Sequence, residues 1–369
     1  MDNIKLHDIN DNIAVSSNEQ HLVDRNADNN ADNNADNSVD KPQAESWQYW
    51  LSHCLEDIDS LCAYLALDKS KLPFSIAADQ SFALKVPLPY ADRIEKGNYQ
   101  DPLLLQVLPD TQEMTHFPGF VTDPLQESSA NHLKGLIHKY KNRVLLTLSG
   151  ACAINCRYCF RRHFPYAQNT IDSQQWQQIL DYIKNDKDIE EVIFSGGDPL
   201  ATSDKRLQRF VDDLGKITHI QRLRIHTRLP IVIPQRISNQ LCQILAQSRL
   251  HCVVVVHANH ANEFDAKVSA ALSLLRQANV TVLNQAVLLK GINDSVVAQK
   301  ALHCASFNAG ALPYYLFVLD PVQGAAHFDI SDEDAKILMK QVQAELSGYL
   351  LPRLAREIPN RASKTLLAI

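Results

Sequence analysis

The chain has 369 residues, 45% hydrophobic and 21% charged, a balance that suits a soluble globular protein with a large core and excludes a small disulfide-stapled scaffold. Its formal charge of -6 is unevenly placed: residues 1–45 hold ten acidic and three basic residues, leaving 33 basic and 32 acidic for the rest. That near-neutral body offers no basic field for nucleic acid and no basic amphipathic segment for a membrane surface.

Within the acidic tail, residues 26–37 read NADNNADNNADN, a repeat too polar to offset its ordering entropy by burial, so residues 1–45 are expected to be a disordered low-complexity tail. There is no basic, apolar-cored leader, and the longest aliphatic run, Val253–Val256, is far too short to span a bilayer. A cytoplasmic location is therefore expected. Cys54, Cys62, Cys242, Cys252 and Cys304 lie scattered among apolar residues and read as small buried hydrophobes. From Trp47 to Leu65 the apolar residues recur at helical spacing, which predicts one amphipathic helix. Prolines 73, 87, 89, 102, 109 and 118 then break the pattern repeatedly, and residues 46–140 read as an N-terminal helical extension.

After residue 140 the pattern becomes regular. RVLLTLSGAC (143–152), EEVIFSGGDP (190–199), LRIHTRL (223–229), HCVVVVHAN (251–259), TVLNQAVLL (281–289) and LPYYLFVLD (312–320) are β-branched runs suited to strands covered on both faces. Helical stretches separate them, so the architecture is α/β with a parallel sheet, either doubly wound or barrel-like. Each strand ends in polar or flexible residues: Cys152, Ser195 to Asp198, His226 to Arg228, His257 to His260, Asn284 and Gln285, and Asp320. Sites of α/β barrels collect at that edge, which favours a barrel over residues 141–330, followed by a C-terminal helix and segment over 331–369.

Cys152, Cys156 and Cys159 form a C-x3-C-x2-C triplet at the end of the first of these strands. Three close thiolates suit zinc if a fourth ligand comes from elsewhere, or three irons of a 4Fe-4S cluster. No second cysteine pair is present to complete a common zinc motif, and a cluster with one iron unbound by protein has the open position a catalyst needs. SGGDP, residues 195–199, adds glycines at a strand end where backbone can approach a ligand closely.

The triplet, with Tyr158 before its last cysteine, resembles the signature of radical S-adenosylmethionine (radical SAM) enzymes. DPLLLQVLP, HKYKNRVLLTLSGACAINCRYCFRR, FSGGDPL, RIHTRLPIVIPQRI, NQAVLLKGIND and YYLFVLDPVQGAAHF extend the likeness to the lysine 2,3-aminomutase family over about residues 95–369. SGYLLPRLAREIPNRASK is most similar to the bacterial branch that makes β-lysine for elongation factor P. The resemblance implies a partial, six-fold β/α barrel and an isomerase that moves the amino group of L-α-lysine from carbon 2 to carbon 3, giving the R form of β-lysine. It also implies three cofactors: a 4Fe-4S cluster on Cys152, Cys156 and Cys159, S-adenosylmethionine, and pyridoxal 5'-phosphate. S-adenosylmethionine would contact Ser195, Gly196, Gly197 and Asp198, while Lys364 would be the Schiff-base lysine, with Tyr140, Arg143 and Gln285 around pyridoxal phosphate. Lys139 stands where other members have arginine. Arg161 would grip the substrate carboxylate, and Asp320 with Glu357 the far ammonium group; Glu357 replaces the family's aspartate, and NRAS its usual glycine run before the lysine. His257 and Asn259 would line the site. No zinc is expected, because Ser295 stands where zinc-binding relatives place a cysteine. Implied partners are lysine, an electron donor, elongation factor P with its lysyl ligase, and a second copy in a homo-oligomer. Two alternatives stay open: an aminomutase for another amino acid such as glutamate, and a non-catalytic iron-sulfur or zinc module.

Overall fold

The computed structural model describes residues 46–369, so the tail expectation for 1–45 lies outside the described residues. Twelve strands and eleven α-helices are present among them. The strands are β1 (Cys54–Leu55), β2 (Val86–Pro87), β3 (Asn131–Leu133), β4 (Leu136–Tyr140), β5 (Arg143–Ser149), β6 (Glu191–Gly196), β7 (Arg222–Thr227), β8 (His251–His257), β9 (Thr281–Leu288), β10 (Leu312–Val318), β11 (Arg353–Arg356) and β12 (Thr365–Leu366). The helices are α1 (Trp47–Ser52), α2 (Ile58–Leu65), α3 (Ile76–Ser81), α4 (Leu88–Ala91), α5 (Ser173–Asn185), α6 (Asp204–Gly215), α7 (Leu229–Val232), α8 (Asn239–Ala246), α9 (Ala266–Gln277), α10 (Val296–Asn308) and α11 (Asp332–Glu345).

β3 to β12 form one ten-stranded sheet in sequence order. β5 to β11 run parallel, with register pairs such as Leu146 beside Phe194 and Ile225 beside Val254. The edge strands β3 and β12 pair only with their sequence neighbours, so the sheet is a partial barrel. The six expected strands are β5 to β10, and the sheet continues beyond them. β11 adds a seventh parallel strand, and residues 131–140, expected within a helical extension, form the β3–β4 hairpin on β5.

The local causes are conventional. Parallel strands buried on both faces favour Val, Ile and Leu, and each such side chain fully buried contributes about 1.5–3 kcal/mol. Val144, Leu146, Val192, Phe194, Ile225, Val254 and Val256 fill those positions, and helices α5, α6, α8 and α9 cover the outer face through Trp176, Phe210, Leu241 and Leu272. Side-chain caps start most of the covering helices: Asp172 for α5, Ser238 for α8, Asp265 for α9, Ser295 for α10 and Ser331 for α11. Ser295 therefore has a capping task here. The helix expected from Trp47 to Leu65 is instead two helices: His53 ends α1, Cys54 and Leu55 pair with Pro87 and Val86, and Asp57 caps α2. Two cap signals and a strand pairing override an unbroken apolar stripe. All eight cysteines are free, with Cys62 and Cys252 buried and the others half-buried. No helix among the described residues is long and apolar enough to cross a membrane.

Arginines dock the N-terminal region onto the barrel. Fully buried Arg157 gives Nε and Nη2 to Glu113 at 2.8 and 2.7 Å and Nη2 to the Ala78 carbonyl at 3.1 Å. Arg162 reaches the same Glu113 oxygen at 2.7 Å. Both arginines belong to the loop that carries the cysteines, so the N-terminal region holds that loop in place.

Candidate active site

The cysteine loop leaves β5 at Ser149 and is fastened to the end of β6. Gly197 N–H donates to the Ser149 carbonyl at 2.7 Å, and Asp198 N–H to the Ala151 carbonyl at 2.8 Å. Such close approach requires glycine. A Cβ on Gly196, whose φ is +126°, would stand 2.5 Å from the Ser149 oxygen, and one on Gly197 would stand 2.7 Å from the Ala151 oxygen. The Asp198 carboxylate accepts from Thr227 Oγ1 (2.7 Å) and from the backbone N–H groups of Arg228 (2.7 Å), Leu200 (3.0 Å) and Leu229 (3.0 Å). The SGGD run thus joins two strand ends to the cysteine loop, and the Asp198 side chain, expected to touch a cofactor, is engaged inside the protein.

A cavity of about 610 Å³ opens above the sheet and is lined by all three triplet cysteines, by Ser195 to Asp198, and by Lys139, Tyr140, Arg143, Arg161, His226, His257, Gln285, Asp320, Glu357 and Lys364. All the expected site residues therefore meet at one place. Lys364 gets there through tertiary structure: β12 folds back antiparallel on β11, with Arg356 opposite Thr365, so Glu357 and Lys364 face each other across the turn. The Lys364 ammonium lies 2.6 Å from Glu357 Oε2, and 5.1 Å from the Phe317 ring centroid. Arg143 stacks on the Tyr140 ring, 4.2 Å from its centroid.

Charged groups alternate in sign along the cavity. Arg161 gives Nε and Nη2 to the two oxygens of Glu127 at 2.7 and 2.8 Å, and Nη1 to Ser195 Oγ at 2.9 Å. Lys139 Nζ stands 3.6 Å from Glu127 and 3.4 Å from Glu357 Oε1, which also accepts from Tyr140 OH at 3.2 Å. Burial opposes charge on Glu357, but Lys364, Lys139 and the Tyr140 hydrogen bond outweigh it and hold its carboxyl at about 2. Asp320 differs: burial and the nearby Glu357 charge push it up to about 7, against the opposing pull of Lys364, Arg356 and Lys139, and its Oδ1 has no partner. The two acids expected to act as a pair are thus separated in role, Glu357 being taken by the chain's own cations while Asp320 is open. Burial also lowers both cavity histidines, His257 to about 4.

The donor set fits the implied groups. Burial raises Cys152 and Cys159, the latter to about 11, so these thiols would ionise as iron binds and displaces their protons to solvent. Cys156 Sγ accepts from Arg228. Among the described residues no three His, Cys, Asp or Glu side chains gather round a single ion; a cluster, with one thiolate per iron, spaces its ligands more widely. His226 Nε2, His257 Nε2, Gln285 Oε1 and Asp320 Oδ1 are buried without hydrogen-bond partners and line the cavity, which suits a polar ligand. Asn259 is different. Its Nδ2 donates to Gln106 Oε1 at 3.1 Å and its Oδ1 accepts from the Val287 N–H at 2.8 Å, so it ties the loop after β8 to β9 and to the N-terminal region. Arg228, expected only as a strand-end residue, donates to Cys156 Sγ and pairs with Glu263 at 3.0 Å, whereas sequence reasoning missed Glu127 and Glu263, because nothing in the local pattern around them signals a site.

A model of the radical SAM superfamily matches residues 146–299. The chain is 50% identical to L-lysine 2,3-aminomutase of Haemophilus influenzae over 88% of its length and 96% of that protein. It is 49% identical to the Escherichia coli protein of the same name, over 88% and 95%. The Clostridium subterminale L-lysine 2,3-aminomutase is 31% identical over 86% of this chain and 77% of that one. Among solved structures, a radical SAM methyltransferase from Sphaerobacter thermophilus overlaps with a TM-score of 0.45 and 16% identity, over 60% of this chain and 68% of that one, too partial a match to carry weight. A superfamily match over the cysteine loop and strands, with half of all residues shared across nearly the whole of two relatives, places this chain in the L-lysine 2,3-aminomutase family of radical SAM isomerases, which work with a 4Fe-4S cluster and S-adenosylmethionine.

Proposed function

We propose that the protein converts L-α-lysine to β-lysine using pyridoxal phosphate as well as the cluster, and that the product serves the modification of elongation factor P. One observation carries the lysine reading: a single cavity holds Arg161 beside the cysteine loop, Lys364 on the C-terminal hairpin, and an Asp320 carboxylate with an unpartnered oxygen. A substrate with a carboxylate and a distant ammonium matches that charge order. Glutamate, with a second negative charge, would meet Asp320 and Glu357 unfavourably.

When bound, the cluster and S-adenosylmethionine supply a radical able to take hydrogen from an unactivated carbon, and pyridoxal phosphate supplies the conjugated system over which an unpaired electron spreads. The chain's own residues bind and orient. Cys152, Cys156 and Cys159 would hold three irons, and the glycines of Ser195–Gly197 let backbone lie close to a ligand there. Lys364 would hold pyridoxal phosphate, with Tyr140 and Arg143 beside it. Glu357 pairs with the Lys364 ammonium at 2.6 Å and, with its carboxyl held at about 2, orients that amine and stabilises its charge rather than taking its proton. Arg161 would orient the substrate carboxylate through charge-assisted hydrogen bonds, and Asp320 the far ammonium.

The link to elongation factor P rests on the resemblance of the C-terminal segment SGYLLPRLAREIPNRASK. The test is anaerobic reconstitution with iron, sulfide, pyridoxal phosphate, S-adenosylmethionine and a reductant, followed by product analysis from lysine and from glutamate. β-Lysine from lysine alone is expected, and none from K364A. An intact cluster that yields no β-lysine would refute the reading.

A further inference from the structure

Arg161 meets the cavity with part of its guanidinium already committed. The side-on fork, Nε with Nη2, is closed by both oxygens of Glu127 at 2.7 and 2.8 Å, and Nη1 gives one hydrogen to Ser195 Oγ at 2.9 Å. A guanidinium has five N–H groups, so the end-on fork keeps one uncommitted hydrogen on Nη2 and one on Nη1 held by no more than the Gly196 carbonyl at a long 3.5 Å, and these two are the donors for a second carboxylate. Arg161 and Glu127 are both buried, which makes the geometry of that second fork rigid. Glu127 itself is tightly seated. Asp123 accepts from the Glu127 N–H at 3.0 Å and from Ser128 N–H and Oγ at 3.2 and 2.8 Å, closing the short turn on which Glu127 sits. One Glu127 oxygen also faces Lys139 at 3.6 Å, and Lys139 leads on to Glu357 and Lys364. Glu127 is therefore the anion that links Arg161 to Lys139 in a run of five charges, Arg161, Glu127, Lys139, Glu357 and Lys364, drawn from segments far apart in sequence.

We infer that Glu127 is a positioning residue for substrate recognition: it holds Arg161 by the side-on fork so that the end-on fork is presented to the carboxylate of an amino-acid substrate. The inference rests on the proposed lysine reading and assigns a role that the triplet and its neighbouring arginine cannot fill alone. Without Glu127, Arg161 would be a buried cation free to turn, and the carboxylate would be gripped in several poses.

The test uses the full chain loaded with pyridoxal phosphate and follows the absorbance of that group as L-lysine or 1,5-diaminopentane, which lacks the carboxylate, is titrated. For E127Q the dissociation constant for lysine is expected to rise about tenfold while that for 1,5-diaminopentane stays within about twofold, the loss being that of one charge-assisted contact. E127D, which keeps the charge on a shorter arm, should fall between. In turnover, E127Q should raise KM more than it lowers kcat. Unchanged lysine binding, or equal losses for both ligands, would overturn the inference. If E127Q does not fold, D123N loosens the same turn without removing the Glu127 charge, and the same contrast between ligands decides. A wild-type protein that forms no β-lysine would refute the proposed function, whereas β-lysine formation with an unselective E127Q would refute this inference alone.

Discussion

Replacing Asp320 with asparagine separates a binding carboxylate from a merely buried one. Burial and Glu357 raise the Asp320 carboxyl to about 7, so at pH 6 about nine in ten molecules of free enzyme would carry it protonated. A neutral Asp320 forms no ion pair with the far ammonium of lysine, so kcat/KM should fall about tenfold per pH unit below 7. Bound ammonium favours the carboxylate, so the corresponding limb in kcat should lie at lower pH. Neither cavity histidine should contribute to that limb, since burial and neighbouring cations hold His257 at about 4 and His226 well below 6.5. D320N keeps the shape and removes the charge, and the lost pair should cost about 2–5 kcal/mol, roughly 30- to 4000-fold in kcat/KM. The folded value lies above the unfolded one, so whatever stability the neutral Asp320 contributes is present below about 3.8 and lost as pH rises through about 7. D320N should therefore unfold no more easily than wild type at pH 8. The assays are pH profiles of β-lysine formation for both proteins and thermal unfolding at pH 5 and pH 8. An acid limb near 7 that survives in D320N, or a kcat/KM within about threefold of wild type, would refute the reasoning.

Substituting alanine for Cys152, Cys156 or Cys159 should each lower iron and sulfide content and abolish reductive cleavage of S-adenosylmethionine. C252A, in the core beside Leu245 and Leu250, should keep its iron; a triplet variant that keeps a full cluster would remove that cysteine from the ligand set. Glu113→Gln should destabilise the fold by about 3–5 kcal/mol in urea, because the buried Arg157 and Arg162 share that carboxylate. A loss under about 1 kcal/mol would show that the N-terminal region does not depend on this contact.

Much of the sheet was legible from its strands: β5 to β10 announce themselves as β-branched runs because both faces are buried. The edges were not. β3 and β4 are short and mixed in polarity, and β11 holds only four residues, RLAR, so their pairing depends on a sheet that must already exist. Trp47 to Leu65 shows the converse failure, where an unbroken apolar stripe hides two capped helices. The cysteine loop was readable because three cysteines at short spacing are chemically unusual, while Glu127 is one acid among many until Arg161 is seen against it.

By itself, the sequence determined the α/β alternation, the triplet and its strand-end position, and a near-neutral body, since each is a matter of local pattern and residue chemistry. Tertiary structure decided which charges act together. It folded the C-terminal strand back so that Lys364 faces Glu357, closed both oxygens of Glu127 on Arg161, and left Asp320 with an open oxygen. The physical reason is that an ion pair's consequence depends on distance and burial, and residues up to 237 positions apart, Glu127 and Lys364, acquire both only when the sheet brings their segments to one cavity.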